Sequence, residues 1–155
     1  EWVSKGSSYS PSELSMAMLL GQLELSEEIV LHKRTLFKHY LTYFNQHTMI
    51  GLDSYTSKPL ISKSNGHLFY LVFKEKSLAK EFIEFMTNKG VAIYTHFVPL
   101  QESKMGGQFI SDKNKFDYEV GLGQRLVRLP LYAGLSMDKQ VYVCQSISEF
   151  MEGQL

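Results

Sequence analysis

The sequence has only one cysteine, no long apolar run and no excess of either charge. Its single cysteine, Cys144, cannot form a disulfide within the chain, which excludes a disulfide-stapled secreted domain and favours a reducing, cytoplasmic location. No apolar run approaches the roughly 18 residues of a membrane span, and no signal peptide is visible. Lys plus Arg number 16, and Asp plus Glu also number 16. Without a basic excess, we expect neither a nucleic-acid nor a membrane partner.

The composition is that of a folded domain. The chain has 155 residues, of which 44% are hydrophobic and 13% aromatic, so intrinsic disorder is excluded. This length corresponds to one domain, or to one domain with an appendage, and it needs no metal or disulfide to hold together. Because the chain begins with Glu1 and not with methionine, we interpret it as an internal piece of a longer protein. Part of the chemistry is therefore expected to lie outside the chain.

Two helices are predicted at the N-terminal end. The letters S-P-S-E, with Ser10 as N-cap and proline at the first helical position, predict a helix that ends near Leu25. A second helix is predicted from Ser26, where acidic residues occupy the first turn, to about residue 47. We interpret residues 1–47 as linker helices that join the chain to a large domain.

The rest of the chain alternates between strands and helices. Residues 48–65 have little periodicity and are predicted to be irregular. Strands are predicted at 67–73, 91–98 and 125–131, and helix starts at Ser77, Tyr118 and Ser136. The short connections favour an α+β fold with a small antiparallel or mixed sheet of three to four strands and helices on one face. We interpret residues 48–155 as a C-terminal small α/β domain.

Metal chemistry is not supported by the histidines. The five histidines form no H-E-x-x-H motif, and the sequence has no C-x-x-C motif. His32 and His39 lie two helical turns apart, about 10 Å, which is too far to share one metal. We therefore predict no metal site.

Three places could carry a ligand, and the residues alone leave each of them open. His96 stands in T-H-F-V-P at a strand end, where sites are often built, although a hydrogen-bonded structural histidine fits equally. Ser8 precedes a helix N-terminus that could hold an anion, or it is an ordinary loop residue. Arg125 and Arg128 could grip a phosphate or carboxylate, or they could lie on a solvated strand face.

Four sequence blocks resemble a known enzyme family. They are the opening E-W-V-S-K-G-S-S-Y-S-P-S-E-L-S, then N-G-H-L-F-Y-L-V-F, T-H-F-V-P-L and R-L-V-R-L-P-L-Y-A-G-L-S. Together they cover nearly the whole chain, in the order in which they occur in the pyridoxal-phosphate (PLP)-dependent nucleotide-sugar aminotransferases. The chain is most similar to the branch of these fold-type-I enzymes that aminates TDP-4-oxo-6-deoxyhexoses.

The resemblance implies that the chain is one part of a larger enzyme, namely its C-terminal small domain. In that family the Schiff-base lysine lies in the large domain, so the resemblance implies no catalytic residue here and no activity of the fragment alone. The full enzyme, implied to be a homodimer, would transfer an amino group from a donor such as glutamate to the 4-keto carbon of a nucleotide-linked deoxysugar. Its product would serve the synthesis of lipopolysaccharide or another surface antigen.

The resemblance also implies roles for four residues. Ser8, in place of the family's asparagine, and Tyr9 would lie at the cofactor phosphate of the neighbouring subunit. His96 and Gln101 would contact the nucleotide-sugar substrate. Gln101 replaces the second histidine of the family's H-Y-x-P-L-H block, but its amide can still donate and accept hydrogen bonds.

Two alternative functions stay open at the level of sequence. Some relatives carry histidine in place of the Schiff-base lysine and act as PLP-dependent sugar dehydratases or deoxygenases. The chain could also be a stand-alone ligand-binding or interaction domain. The sequence upstream of Glu1 would discriminate among these possibilities.

Overall fold

The computed structural model describes residues 9–56, 65–111 and 116–153. Within these ranges the chain forms five α-helices and four β-strands. In chain order they are α1 (Glu13–Glu24), α2 (Ser26–Gln46), β1 (Leu52–Tyr55), β2 (Phe69–Phe73), α3 (Lys76–Asn88), β3 (Tyr94–Thr95), α4 (Asp117–Arg125), β4 (Leu126–Leu129) and α5 (Met137–Glu152).

The four strands form one antiparallel sheet in the order β1-β2-β4-β3. This confirms the predicted α+β class. Strand β1 lies in the segment that the sequence predicts to be irregular, and that expectation was wrong. Strand β1 lies at the edge of the sheet and pairs with β2 alone. Leu52 is its one buried apolar residue, so the segment shows no alternating apolar pattern that would predict a strand. Strand β3, expected over 91–98, is limited to two residues that pair with β4.

The core lies on one face of the sheet. Alternate residues of β2 and β4 point toward helices α2, α3 and α5, which cover this face. The ring of Phe69 lies 5.3 Å from that of Phe37, 5.0 Å from that of Tyr40 and 5.5 Å from that of Phe44. The strand residues of the core are Leu52 of β1 together with Phe69, Leu71, Phe73, Val127 and Leu129 of β2 and β4.

The second half of α2 belongs to this core and is hydrogen-bonded to the C-terminal part of the chain. The Tyr40 hydroxyl donates to the Pro130 carbonyl at 3.0 Å. The Gln140 amide donates to the Leu36 carbonyl at 2.7 Å. Helix α2 is thus held against α5 and the end of β4, and the division of the chain at residue 47 stays a prediction.

Helix α1, in contrast, carries no buried residue. Its N-cap is Ser12 and not Ser10, because the Ser12 hydroxyl accepts the Ser15 N–H at 3.2 Å. Apolar side chains are exposed along its whole length, at Leu14, Met16, Met18, Leu19, Leu20 and Leu23. The helix therefore leaves an apolar surface without a partner among the described residues.

The other helix starts were predicted with mixed success. Helix α3 begins at Lys76 after Glu75, so Ser77 is not its cap. Helix α5 begins as expected, because the Ser136 hydroxyl accepts the Lys139 N–H. Among the described residues, no helix combines the length and the apolar character that crossing a bilayer requires.

Candidate functional site

The segment that follows β3 forms an exposed loop. His96 and Phe97 leave the sheet edge directly after Thr95, and Pro99 starts a 3-10 turn over Leu100–Glu102. The rings of His96 and Phe97 are 5.2 Å apart in an edge-to-face arrangement. Phe97 is 76% exposed, so its ring does not pack into the hydrophobic core. The loop thus presents an imidazole and an aromatic ring to the outside.

Arg128 joins this loop from the neighbouring strand. It pairs with Tyr94 in the β3–β4 ladder, and its guanidinium carbon lies 5.6 Å from the centre of the Phe97 ring. Its Nε atom is buried and has no hydrogen-bond partner among the described residues. The sequence left Arg128 open between a ligand and a solvated face. The structure places it half-buried beside Phe97.

Arg125 has a different role. It bridges three backbone carbonyls: its Nη1 donates to Phe73 at 2.9 Å and to Lys74 at 3.3 Å, and its Nε donates to Gly121 at 3.2 Å. The Asp53 carboxylate lies 3.7 Å away. Arg125 therefore holds α4 against the end of β2 and pairs with a carboxylate of the chain itself, so the alternative of a solvated strand face is wrong.

The turn that carries Gln101 is locked by Ser103 and Gly106. The Ser103 hydroxyl donates to the Leu100 carbonyl at 2.7 Å and accepts the Gly106 N–H at 2.9 Å. A Cβ atom at Gly106 would lie 1.9 Å from the Leu100 carbonyl oxygen, so only glycine fits this close approach. Gln101 is half-buried within this fixed turn.

A groove runs beneath the loop. Its volume is about 470 Å³, and His96, Pro99 and Gln124 line it together with residues of α3. The Gln124 amide donates to the Glu102 carboxylate at 3.5 Å across the groove mouth. Of the four predicted site residues, His96 and Gln101 lie in this loop, and of these two only His96 is among the described residues that line the groove.

The two predicted cofactor contacts stand apart from this loop in the chain. Ser8 lies outside the described residues. Tyr9 is 91% exposed, in front of the N-terminus of α1. Since Ser12 caps that helix, the cap does not depend on Ser8 or Ser10.

No group of three or more potential metal ligands occurs in the described parts of the chain. His32 is bound to the Leu135 carbonyl at 2.9 Å, and His47 to the Tyr43 carbonyl at 2.8 Å. Burial raises the pKa of the Cys144 thiol to about 12, which keeps the thiol protonated. The cysteine is therefore a core residue and not a nucleophile.

Comparison with known proteins identifies the class. Residues 2–148 match the model of the DegT/DnrJ/EryC1/StrS aminotransferase family, and the chain belongs to this family. The resemblance seen in the sequence is thereby confirmed at the level of the family.

Individual relatives resemble the chain along most of its length. It is 24% identical to GDP-perosamine synthase of Escherichia coli O157:H7 over 148 residues, which are 94% of this chain and 38% of that protein. The fold matches PseC of Helicobacter pylori, an aminotransferase involved in pseudoaminic acid biosynthesis, with a TM-score of 0.80 at 19% identity, over 99% of this chain and 41% of PseC. It also matches the PLP-form of a protein of Streptococcus pneumoniae described as a sugar aminotransferase, with a TM-score of 0.72 at 17% identity, over 88% and 34% of the two chains. The chain thus spans between one third and about two fifths of the length of these relatives.

Proposed function

We propose that the chain is the C-terminal small domain of a PLP-dependent aminotransferase. The enzyme transfers an amino group, with glutamate as donor, to the 4-keto carbon of a nucleotide-linked 6-deoxysugar. The observation that carries this proposal is the family match over residues 2–148, together with relatives that are more than twice as long as the chain. We further propose that the enzyme is a cytoplasmic homodimer that serves lipopolysaccharide or antigen synthesis.

The chain's own residues fit a cofactor phosphate at the start of α1. Tyr9, Ser10 and Ser12 are all exposed there, and the first N–H groups of a helix have no helical partners, although the Ser15 N–H already donates to the Ser12 hydroxyl. Ser8 and Tyr9 would contact the phosphate of a neighbouring subunit's PLP. When bound, PLP supplies an aldehyde that carries the amino group and a ring that spreads negative charge.

The loop after β3 would act on the substrate and not on the cofactor. His96 offers an imidazole whose ring nitrogens can donate and accept hydrogen bonds. Gln101 offers an amide that stands on the turn held by the Ser103 and Gly106 hydrogen bonds. Both would orient the hydroxyl and phosphate groups of the nucleotide sugar, so this loop is expected to set the substrate KM.

The test uses the full-length enzyme that contains this chain, with the glutamate-dependent amination of a nucleotide-linked 4-keto-6-deoxysugar as the assay. Loss of one hydrogen bond to a charged phosphate should weaken PLP retention in Ser8→Ala roughly ten- to hundredfold. Ser77→Ala is the matched control, because Ser77 is exposed on α3 and does not cap that helix. His96→Ala should raise the substrate KM or lower kcat at unchanged PLP affinity, and His47→Ala, on the exposed end of α2, should change neither.

The proposal fails if the full-length enzyme binds no PLP, or if it aminates no nucleotide-linked keto sugar. The cofactor assignment alone fails if Ser8→Ala retains PLP like the wild type. If His96→Ala shows wild-type kinetics, His96 has only a structural role at the end of the strand.

A further inference from the structure

A cavity lies in the seam between α2 and α5. Its volume is about 440 Å³, within the range of small-molecule sites. It shares no described lining residue with the groove beneath the loop after β3, so it is separate from the candidate site. His39, Tyr43 and His47 form one wall, at successive turns of α2 and its C-cap. The wall on α5 consists of Val141, Cys144, Gln145, Ser148, Glu149 and Glu152.

The two helices run in the same direction along this seam. The Tyr43 hydroxyl donates to the Cys144 carbonyl at 2.7 Å, and one turn further along α2 His47 lines the cavity together with Glu152. Both helices therefore end on the same side of the cavity. The C-terminal end of a helix carries a partial negative charge, and neither helix has a basic residue in its last turn. This end of the cavity thus attracts a cation.

The charged lining of the cavity is acidic. Among the described residues it contains two carboxylates and no lysine or arginine. Glu149 is balanced by Lys89, whose Nζ lies 2.6 Å from its Oε1, but Glu152 takes part in no ion pair of the described residues. Burial raises the pKa of the Tyr43 hydroxyl, and the Cys144 and Glu152 side chains add to this effect. The charge of Glu152 therefore acts inside the cavity without a counter-charge from the lining.

A buried hydrogen-bond acceptor lies toward the other end of the cavity. The Nδ1 atom of His39 is buried and has no hydrogen-bond partner among the described residues. When the imidazole carries its proton on Nε2, Nδ1 can only accept, and a buried acceptor without a donor destabilises the fold. An N–H donor on a ligand would satisfy this atom. Val141 and Cys144 add apolar surface to the α5 wall.

We propose that this cavity binds an aliphatic diamine. One ammonium group pairs with Glu152 at the two helix ends, and the other donates to Nδ1 of His39. His39 and His47 are eight residues apart, so the two ends of the cavity are separated by about 12 Å. An extended 1,4-diaminobutane with a hydrogen bond at each end also spans about 12 Å. A carboxylate or phosphate ligand would instead be repelled by Glu152.

The test is isothermal titration of the 155-residue chain, which contains its own hydrophobic core, with 1,4-diaminobutane at pH 8 and low salt, where alkyl amines are charged. Butylamine, with one amino group, and 1,4-butanediol, with none, are the matched probes. The diamine should bind about tenfold or more tightly than butylamine, and the diol should not bind. Glu152→Gln and His39→Phe should each weaken diamine binding about ten- to hundredfold, since each removes one interaction with an ammonium group.

Matched controls lie outside the cavity. Glu119→Gln and His67→Phe alter exposed residues of the same types and should bind the diamine like the wild type. Circular dichroism checks the fold of every variant. If His39→Phe does not fold, Glu152→Gln decides, because Glu152 is exposed at the end of α5.

The proposal is overturned if the chain does not bind the diamine, or if Glu152→Gln binds it like the wild type. Equal affinity for butylamine, or no effect of a folded His39→Phe variant, would also overturn it, since only one end of the cavity would then bind. The titration involves neither PLP nor turnover, so its outcome is independent of the proposed function.

Discussion

A buried glutamine provides a sharp test of the packing between α2 and α5. Gln140 is fully buried, its amide donates to the Leu36 carbonyl at 2.7 Å, and its Oε1 atom has no partner among the described residues. Gln140→Glu preserves the shape but replaces the donor by an acceptor. An ionised carboxylate would face a carbonyl without water, so the folded state should take up a proton instead.

The magnitude follows from the pKa of glutamate. In the unfolded chain the carboxyl ionises near 4.3, and each pH unit above this value costs about 1.4 kcal/mol if the folded state keeps the proton. The loss of stability should reach about 3.7 kcal/mol at pH 7. It should vanish below about pH 4.3, where the carboxyl is protonated in both states and can donate to the Leu36 carbonyl.

Urea unfolding followed by far-ultraviolet circular dichroism between pH 4.5 and 7.5 measures this difference. Gln145→Glu is the control, because Gln145 is exposed on the same helix and should change stability by less than about 0.5 kcal/mol. A loss in Gln140→Glu that does not depend on pH would refute the reasoning, since it would mean that water reaches the carboxylate. Gln140→Met separates charge from shape: a loss as large as that of the glutamate variant would point to packing.

Three further predictions concern the thiol, the glycines and the exposed helix. Burial raises the pKa of the Cys144 thiol to about 12. At pH 8 a thiol reagent should therefore react about a thousandfold more slowly with the native chain than with the urea-unfolded chain, and comparable rates would contradict this. Gly21→Ala, in an exposed helix with no atom near its added Cβ, should stabilise the chain by about 0.5–1 kcal/mol. Gly66→Ala, at φ +65° and 3.0 Å from the Lys33 carbonyl, should destabilise it by more than about 1 kcal/mol, and thermal unfolding that ranks the two alike would refute the assignment. Since α1 exposes apolar side chains all round, the isolated chain should self-associate in sedimentation, and Leu20→Glu should reduce this; a wild-type monomer at high concentration would show that α1 needs no partner.

The sequence predicts those helices and strands that a short run of neighbouring residues specifies by itself. H-L-F-Y-L-V-F identifies β2 because aromatic and β-branched residues fit a pleated surface, and the Ser136 cap identifies the start of α5. Strand β1 escapes prediction because its four residues owe their conformation to pairing with β2. At S-P-S-E two serines flank one proline, and the rule that favours proline at the first helical position selects the wrong serine.

The candidate site was only partly predictable for the same reason. His96 stands out in the sequence because it follows a strand and precedes a proline. Its link to Arg128 depends on the pairing of β3 with β4, which joins residues that are far apart in the chain. The strand alternation places Arg128 on the face opposite Val127, but no local signal indicates which loop it meets.

Helix α2 has a mechanical consequence. Its 21 residues form a rod about 31 Å long, of which only the second half is buried. The buried half is bonded to α5 and to the end of β4, while the exposed half continues directly into α1. Because Leu25 alone separates the two helices, a force applied to α1 would reach the sheet through α2. A partner that binds α1 would therefore act on the sheet and on the loop after β3 through the buried half of α2.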